Sequence, residues 1–293
     1  MSQEELAFPI MDRASLSRIE NGRVTPSKQH LEALLEKLGL HASSVANFYL
    51  NKELTEIQKI QNELNSLLAN QIMDENDPVI AKIDDLISQL ENHETFMQNS
   101  LDMQRLLTDK ATNAVNKKEN PEEILEILTK SIKITIPDYD VKKIKDYFLS
   151  NQDVRILNLF AVVNNIIGNF AEGIDILYGL KANLENHCID ATAMGRTYPS
   201  LTYNLSSNLQ RIRRYKEALD VCIDGQKVCL NTYSLIYMPQ LVLVESVCHF
   251  YLGNPEESKM LAVQAYHAAT MFKQDYIVQT LISFAKDKLE MDF

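Results

Sequence analysis

An all-α protein is the fold class this sequence predicts, and three observations predict it. Eight glycines and eight prolines in 293 residues are too few to punctuate many strands. Leu, Ile, Glu, Lys and Asn abound, and apolar residues recur at helical spacing along most of the chain. Beyond Pro78 the chain becomes a succession of helical hairpins with a loose internal repeat. A hydrophobic content of 45% is enough for two domains, or for one domain and a repeat array.

The first element is short. Ser2 is placed to cap a helix over Gln3-Glu4-Glu5-Leu6-Ala7, with Glu5 three residues on to complete a capping box. After Phe8-Pro9-Ile10-Met11, Asp12 is placed to cap a second helix from about Arg13 to Glu20, and Asn21-Gly22 stops it with left-handed residues. Leu6, Ile10, Leu16 and Ile19 can face one small core. That leaves Arg13, Ala14, Ser15, Ser17 and Arg18 facing out. A short outward helix with two arginines and small polar neighbours suits a major groove, because Arg reaches guanine edges and small residues permit close approach.

The residues Ser2-Gln3, Leu6-Ala7, Ser17 to Gly22 and Pro26-Ser27 resemble the lambda-repressor-type (XRE, Cro/C1) helix-turn-helix, whose hallmark is S-Q-x-x-L-A followed by S-R-I-E-N-G and P-S. The resemblance implies that Arg13, Ala14 and Arg18 read bases, with Ser17 nearby. It implies that Gln3, Asn21, Arg23 and Lys28 meet phosphates. Arg18 has a competing use, a salt bridge with Glu20 or Glu32, and Glu20 is read as structural. Two departures stand out. The family has a full helix before S-Q-x-x-L-A, whereas this sequence starts at Met1; either the true start lies upstream or the domain lacks its first helix. The turn from Phe8 to Met11 also lacks the usual glycine.

Thr25-Pro26-Ser27 opens a third helix with Pro in its first turn; Leu31, Leu34, Leu35 and Leu38 follow at helical spacing, and Gly39 ends it. Residues 41–50 fit a short closing helix with Val45 and Phe48 inward, so the DNA-binding unit is residues 1–52. From Glu53 to about Met73, Leu54, Ile57, Ile60, Leu64, Leu67, Leu68 and Ile72 mark a linker helix, ended by the residues before Pro78. It serves as a linker and part of a dimer seam, or as the first helix of the C-terminal core, or both. Residues 53–78 form this linker unit, and residues 79–293 the repeat domain.

Within the repeat domain, Ile167-Gly168-Asn169-Phe170, Arg213-Arg214-Tyr215 and Leu252-Gly253-Asn254-Pro255 resemble one another as junctions. Aligning Phe170, Tyr215 and Pro255 gives steps of 45 and 40 residues, and Asn120-Pro121 is an earlier member. The pattern resembles tetratricopeptide repeats, whose basic period is about 34 residues, with a degenerate consensus and longer helices or loops. The expected body is an α-solenoid rather than an irregular bundle, with a concave face lined by the first helix of each pair.

A helix-turn-helix head on such a body resembles the peptide-pheromone regulators of Gram-positive bacteria, the Rgg, NprR, PlcR and PrgX group. That resemblance implies a dimeric transcription factor whose concave repeat surface binds a short signalling peptide. An extended peptide leaves backbone N–H and C=O groups unpaired, and side-chain amides satisfy both at once. Asn158 and Asn204 stand at nearly equivalent places in consecutive repeats, with Asn165 and Asn208 on their respective faces. Glu245, an acid inside an apolar run, calls for a partner such as a peptide amine or lysine. These five residues are the candidate peptide site. The competing reading has them capping loops or bonding between helices; Tyr203, Phe250 and Tyr251 line side-chain pockets or belong to the core.

Charge agrees with a divided chain. Residues 1–52 hold six basic and six acidic residues, so the net charge of −11 belongs to the remainder. A neutral reader binds DNA through local positive charge, while an acidic body stays off the phosphates. Cys188, Cys222, Cys229 and Cys248 include no C-x-x-C pair and read as free thiols in a reducing compartment. The six histidines show no ligand spacing, and there is no phosphate loop or nucleophile motif, so no metal, cofactor or enzymatic activity is expected. No run of 18 apolar residues and no signal peptide is found, which predicts a cytoplasmic protein without membrane partners.

The expected function is sequence-specific transcriptional regulation: a homodimer on a double-stranded DNA operator, controlled by a short signalling peptide in quorum sensing. The alternative is a tetratricopeptide-type interaction scaffold with a vestigial head. Translating the DNA upstream of Met1 separates them: an in-frame basic amphipathic helix favours the regulator, a stop codon the scaffold.

Overall fold

The computed structural model describes residues 2–38, 52–68, 77–188 and 190–293. The expected closing helix at 41–50, Gly39, and the end of the linker helix beyond residue 68 lie outside these residues. The chain divides into two compact units, 1–63 and 64–293.

The first unit opens with three short helices, α1 (Gln3–Ala7), α2 (Arg13–Glu20) and α3 (Lys28–Lys37). Ser2 caps α1 through a complete capping box with Glu5. Asp12 caps α2, accepting from Ser15 N at 2.9 Å, and Gly22 alone takes the left-handed conformation after it (φ 68°), Asn21 having φ −87°. Pro26 lies before α3 rather than inside it; Ser27 Oγ instead accepts from His30 N at 3.3 Å, which makes Ser27 the cap. Ala7, Leu16 and Leu34 are buried together, with Leu6, Ile10 and Met11 packed against them. Ile19 is half-buried outside that cluster. Lys37, in the last turn of α3, donates to the carbonyls of Glu5 and Phe8, tying α3 to the frayed end of α1. The linker helix α4 (Lys52–Leu68) carries the division between the units.

The second unit is helical throughout its described residues. An opening pair, α5 (Pro78–Glu91) and the single turn α6 (Glu94–Met97), leads into four hairpins and a final helix. The hairpins are α7 (Ser100–Asn116) with α8 (Pro121–Thr135), α9 (Asn151–Ile166) with α10 (Phe170–His187), α11 (Ala191–Arg211) with α12 (Tyr215–Thr232), and α13 (Met238–Tyr251) with α14 (Pro255–Met271). Helix α15 (Asp275–Phe284) follows. The sequence alignment of Pro121, Phe170, Tyr215 and Pro255 therefore picks out the first residue of every second helix.

One joint makes all four hairpins. A residue of positive φ follows each first helix: Lys118, Gly168, Arg213 and Gly253. The next residue's N–H then reaches back five residues, as in Glu119 N to Ala114 O at 3.0 Å and Asn169 N to Asn164 O at 2.8 Å. Arg214 N to Leu209 O and Asn254 N to His249 O, both 2.9 Å, repeat it. This is the Schellman closure, which satisfies the last carbonyls of the helix and reverses the chain. The 49-residue step before Phe170 is long because a 3₁₀ segment, Val141–Asp146, is inserted between α8 and α9. Asn183 on α10 anchors it, donating to the carbonyls of Ile144 (2.9 Å) and Tyr147 (2.7 Å).

Successive first helices pack against one another, α7 on α9, α9 on α11, α11 on α13 and α13 on α15. Among the described residues no packing on that scale joins the second helices, and a cleft of about 340 Å³ lies between α10 and α12. A stack closed on one side and splayed on the other curves, with the first helices inside. The core runs continuously through these layers, from Ala111 to Cys248.

Candidate DNA-reading face and repeat groove

Helix α2 turns by 100° per residue, so Arg13, Ala14, Ser17, Arg18 and Asn21 share one side while Leu16 faces the core. Arg13, Ala14, Arg18 and Asn21 are exposed and Ser17 half-buried. Arg18 makes no ion pair with any described side chain, Glu20 included; the side chain of Glu32, its other expected partner, lies outside the described residues. Asn21 Nδ2 folds back onto Ser17 O at 2.6 Å, so it extends the cap of α2 as well as facing outward. Arg23 is exposed, and its N–H closes the helix end on Arg18 O at 2.8 Å. Lys28 begins α3, its side chain lying outside the described residues.

Gln3 has a local use that sequence reasoning missed. Its Nε2 donates to Glu20 Oε2 at 2.5 Å, and its Oε1 accepts from Arg13 Nε at 3.5 Å. The amide thus ties α1 to both ends of α2 and holds Arg13 by one edge; among the described residues the terminal nitrogens of that arginine have no partner. Glu20 is structural, as expected. Asp12, bonded by the hydroxyl and N–H of Ser15, has its carboxyl held below the usual aspartate range.

In the body, one pair of the four asparagines meets across the seam between α9 and α11. Asn204 Nδ2 donates to Asn158 Oδ1 at 3.0 Å, joining two consecutive first helices, and both residues are half-buried. Among the described residues the other amide atoms of this pair have no partner. Asn165 continues the α9 row but packs towards α10: its Oδ1 is buried without a partner, 2.9 Å from where a Cβ on Gly173 would stand. Asn208 is 2% exposed with its Nδ2 unpaired. The pair Asn158–Asn204 reaches the inner face, whereas Asn208 is enclosed beneath it.

Glu245 is not brought there. It accepts from Gln226 Nε2 on α12 at 2.8 Å and stands 4.0 Å from His249 Nε2. The side of α13 that it occupies looks outward between second helices, while Gln240 and Val247 point the opposite way. Its buried-acid requirement is met by Gln226, with no ligand needed. Of the three aromatic candidates, Tyr203 packs against Tyr237 near the inner face and Phe250 meets Phe284 in the core. Tyr251 stacks on Tyr215 at 4.6 Å.

Two arginines that the sequence reading passed over act on one buried carboxylate. Arg155 on α9 pairs with Asp109 on α7, Nη2 to Oδ1 at 2.7 Å, and Arg105 acts on the same carboxylate. Burial raises the Asp109 pKa against the opposing pull of both arginines. A signal was available in the sequence: these arginines sit on helices nearly free of exposed acids.

Among the described residues no helix is long and apolar enough to cross a membrane, and no three His, Cys, Asp or Glu side chains are grouped to hold a metal ion. Cys222, Cys229 and Cys248 are buried free thiols and Cys188 is half-buried.

Comparison with known proteins agrees with this geometry in both units. Residues 1–44 match the helix-turn-helix family. No curated protein sequence matches the chain. Among solved structures, Bacillus thuringiensis PlcR in complex with the peptide PapR7 and DNA superposes with a TM-score of 0.70 at 18% identity, over 96% of this chain and 94% of that one. Apo PlcR gives 0.63 at 18% identity over the same shares. Apo ComR, the competence regulator of Streptococcus vestibularis, gives 0.56 at 16% identity over 98% and 93%. Residues 1–44 thus resemble the helix-turn-helix of that family, and the chain as a whole has a fold similar to those of PlcR and ComR.

Proposed function

We propose that the chain is a cytoplasmic, dimeric, sequence-specific DNA-binding transcriptional regulator, controlled by a short signalling peptide held on the inner face of its repeat body. The observation that carries this reading is the likeness, along 96% of the chain, to a PlcR structure that contains both a peptide and DNA. Arg13 and Arg18 read base edges in the major groove, and Ala14 and Ser17 let the helix approach closely. Arg23 and Lys28 bind phosphates; Gln3 positions Arg13, and Asn21 supports the helix end beside them. In the body, the linked amides of Asn158 and Asn204 offer a free donor and a free acceptor to a peptide backbone.

The peptide acts by preferring one curvature of the body over another, and it shifts the equilibrium only by the difference in its affinity for the two. A changed curvature alters the spacing of two heads, which must match half-sites about one helical turn apart.

Selection of duplexes from a randomised pool tests the reading. The native protein should enrich a bipartite site, and Arg13→Ala and Arg18→Ala should each cost about 1–3 kcal/mol of discrimination at one position. Enrichment that both substitutions leave unchanged would remove α2 as the reader. No enrichment at all would return the scaffold reading.

A further inference from the structure

We propose that the joint edge of the repeat body docks an amphipathic helix of a partner protein, one with heptad-spaced apolar residues and acids at its centre. The surface lies on three consecutive joints, at the ends of α9, α11 and α13.

Each of these joints sets two large side chains immediately before its left-handed residue: Ile166-Ile167, Arg211-Ile212 and Tyr251-Leu252. The first joint has Asn116-Lys117 there, so the row begins at α9. Ile166, Ile167, Ile212 and Tyr251 are 54, 45, 39 and 47% exposed. Large apolar side chains left open at equivalent places in successive layers mark an interaction surface, unlike single ones scattered over a molecule. Because α9 packs on α11 and α11 on α13, equivalent positions recur at about the 8–10 Å of packed helices. One heptad of an α-helix advances about 10.5 Å. A helix laid along the edge therefore meets all three joints with apolar residues seven apart.

Charge specifies the middle of that helix. The α11 joint holds Arg211, Arg213, Arg214 and Lys216 within six residues, in a chain of net charge −11. Glu217 neutralises Arg214, and among the described residues the other three have no acidic partner. The flanking joints carry acids instead: Glu172, bonded by Asn169, on one side, and Glu256 and Glu257 at the start of α14 on the other. Of these last two, Glu256 is paired with Lys259. A basic centre between acidic ends disfavours a continuous phosphate backbone and fits a helix with Asp or Glu at its midpoint. Arg213 carries a further mark. It holds φ 61°, whereas the equivalent residues of the joints on either side are Gly168 and Gly253. Glycine takes that angle without strain, so an arginine kept there is kept for its side chain.

Stapled helical peptides with leucines seven residues apart and a randomised centre are passed over the immobilised full chain, and retained sequences are read by mass spectrometry. The native chain should enrich Asp and Glu about tenfold at the centre, and replacing the leucines by serine should abolish retention. Arg213→Gly should weaken retention about tenfold while unfolding at no lower temperature than the native chain, which separates lost docking from lost fold. Ile212→Ser, at an exposed position, should weaken it as well. Both variants should keep the native sedimentation and the native salt dependence of duplex DNA binding. No central enrichment of acids, or retention that either variant leaves unchanged, overturns the proposal. A smaller salt dependence in Arg213→Gly would make the edge a phosphate contact, and altered sedimentation would make it a contact between copies of the chain; either result removes the partner helix as its occupant.

Discussion

Asp12 shows how much of the reader hangs on one side chain. Its two oxygens take the N–H and hydroxyl of Ser15, at 2.9 and 2.7 Å, and these bonds hold its pKa below the ordinary 3.8. A depressed carboxylate contributes stability that is present above the unfolded-state pKa and is lost as pH falls through the folded one. Circular dichroism of the head should therefore show helix loss setting in below about pH 3.8, and Asp12→Asn, which keeps an acceptor, should flatten that acid limb. Burial pushes the thiols of Cys229 and Cys248 up to about 11. With Cys222 also raised and buried, alkylation at pH 7.5 followed by mass spectrometry should label Cys188 first and the other three only on unfolding. Residue identities told much about the head, where caps, stop signal and outward face follow from local rules. They told less about the body. The i, i+7 spacing of Asn158 and Asn165 correctly puts both on one face, yet which neighbour that face meets depends on how helices stack. For the same reason an acid in an apolar run looked like a ligand for peptide, when Glu245 is answered by Gln226 from the other side. Glu245→Gln should accordingly leave unchanged the set of randomised heptapeptides that the immobilised full chain retains, read by mass spectrometry.

Helices in the body are spaced by their smallest residues. A Cβ on Gly225 of α12 would stand 2.2 Å from Thr202 Oγ1 and 3.1 Å from Leu241. Thr202 cannot yield, since its hydroxyl donates to Tyr198 O at 2.9 Å inside the α11–α12 contact. Gly225→Ala should cost roughly 1–3 kcal/mol in thermal unfolding, and Thr202→Ala in the same chain should recover part of it. The joints make the opposite prediction. Arg213 holds φ 61° at a position where glycine is unstrained, so Arg213→Gly should stabilise the body by about 0.5–1 kcal/mol. Helix phase, junction order and the first residue of each second helix were legible from periodicity and turn chemistry. The inserted segment before α9 was not, because Val141–Asp146 has no periodic pattern and is held by a distant amide, Asn183.

On the scale of the whole molecule, charge and curvature divide the labour. Residues 1–52 are balanced in charge and the remainder carries the whole −11, so on the proposed reading long-range attraction to DNA is weak and local contacts decide. Arg23→Ala should weaken binding about equally on all sequences and lower the salt slope by about 1. A likeness in fold at 18% identity also shows what the primary structure does not display: the order of helices persists although hardly any letters do.

The shared joint shows how a frame can be specified without particular letters. Lys118, Gly168, Arg213 and Gly253 fill one conformational role with three different residue types, because the closure is made by backbone groups and asks for a torsion angle, not a side chain. Junctions of this kind tolerate drift without changing the pitch of the stack. Because each closure asks only for an angle, the side chains beside it are free to serve the surface while the frame of the stack stays in place.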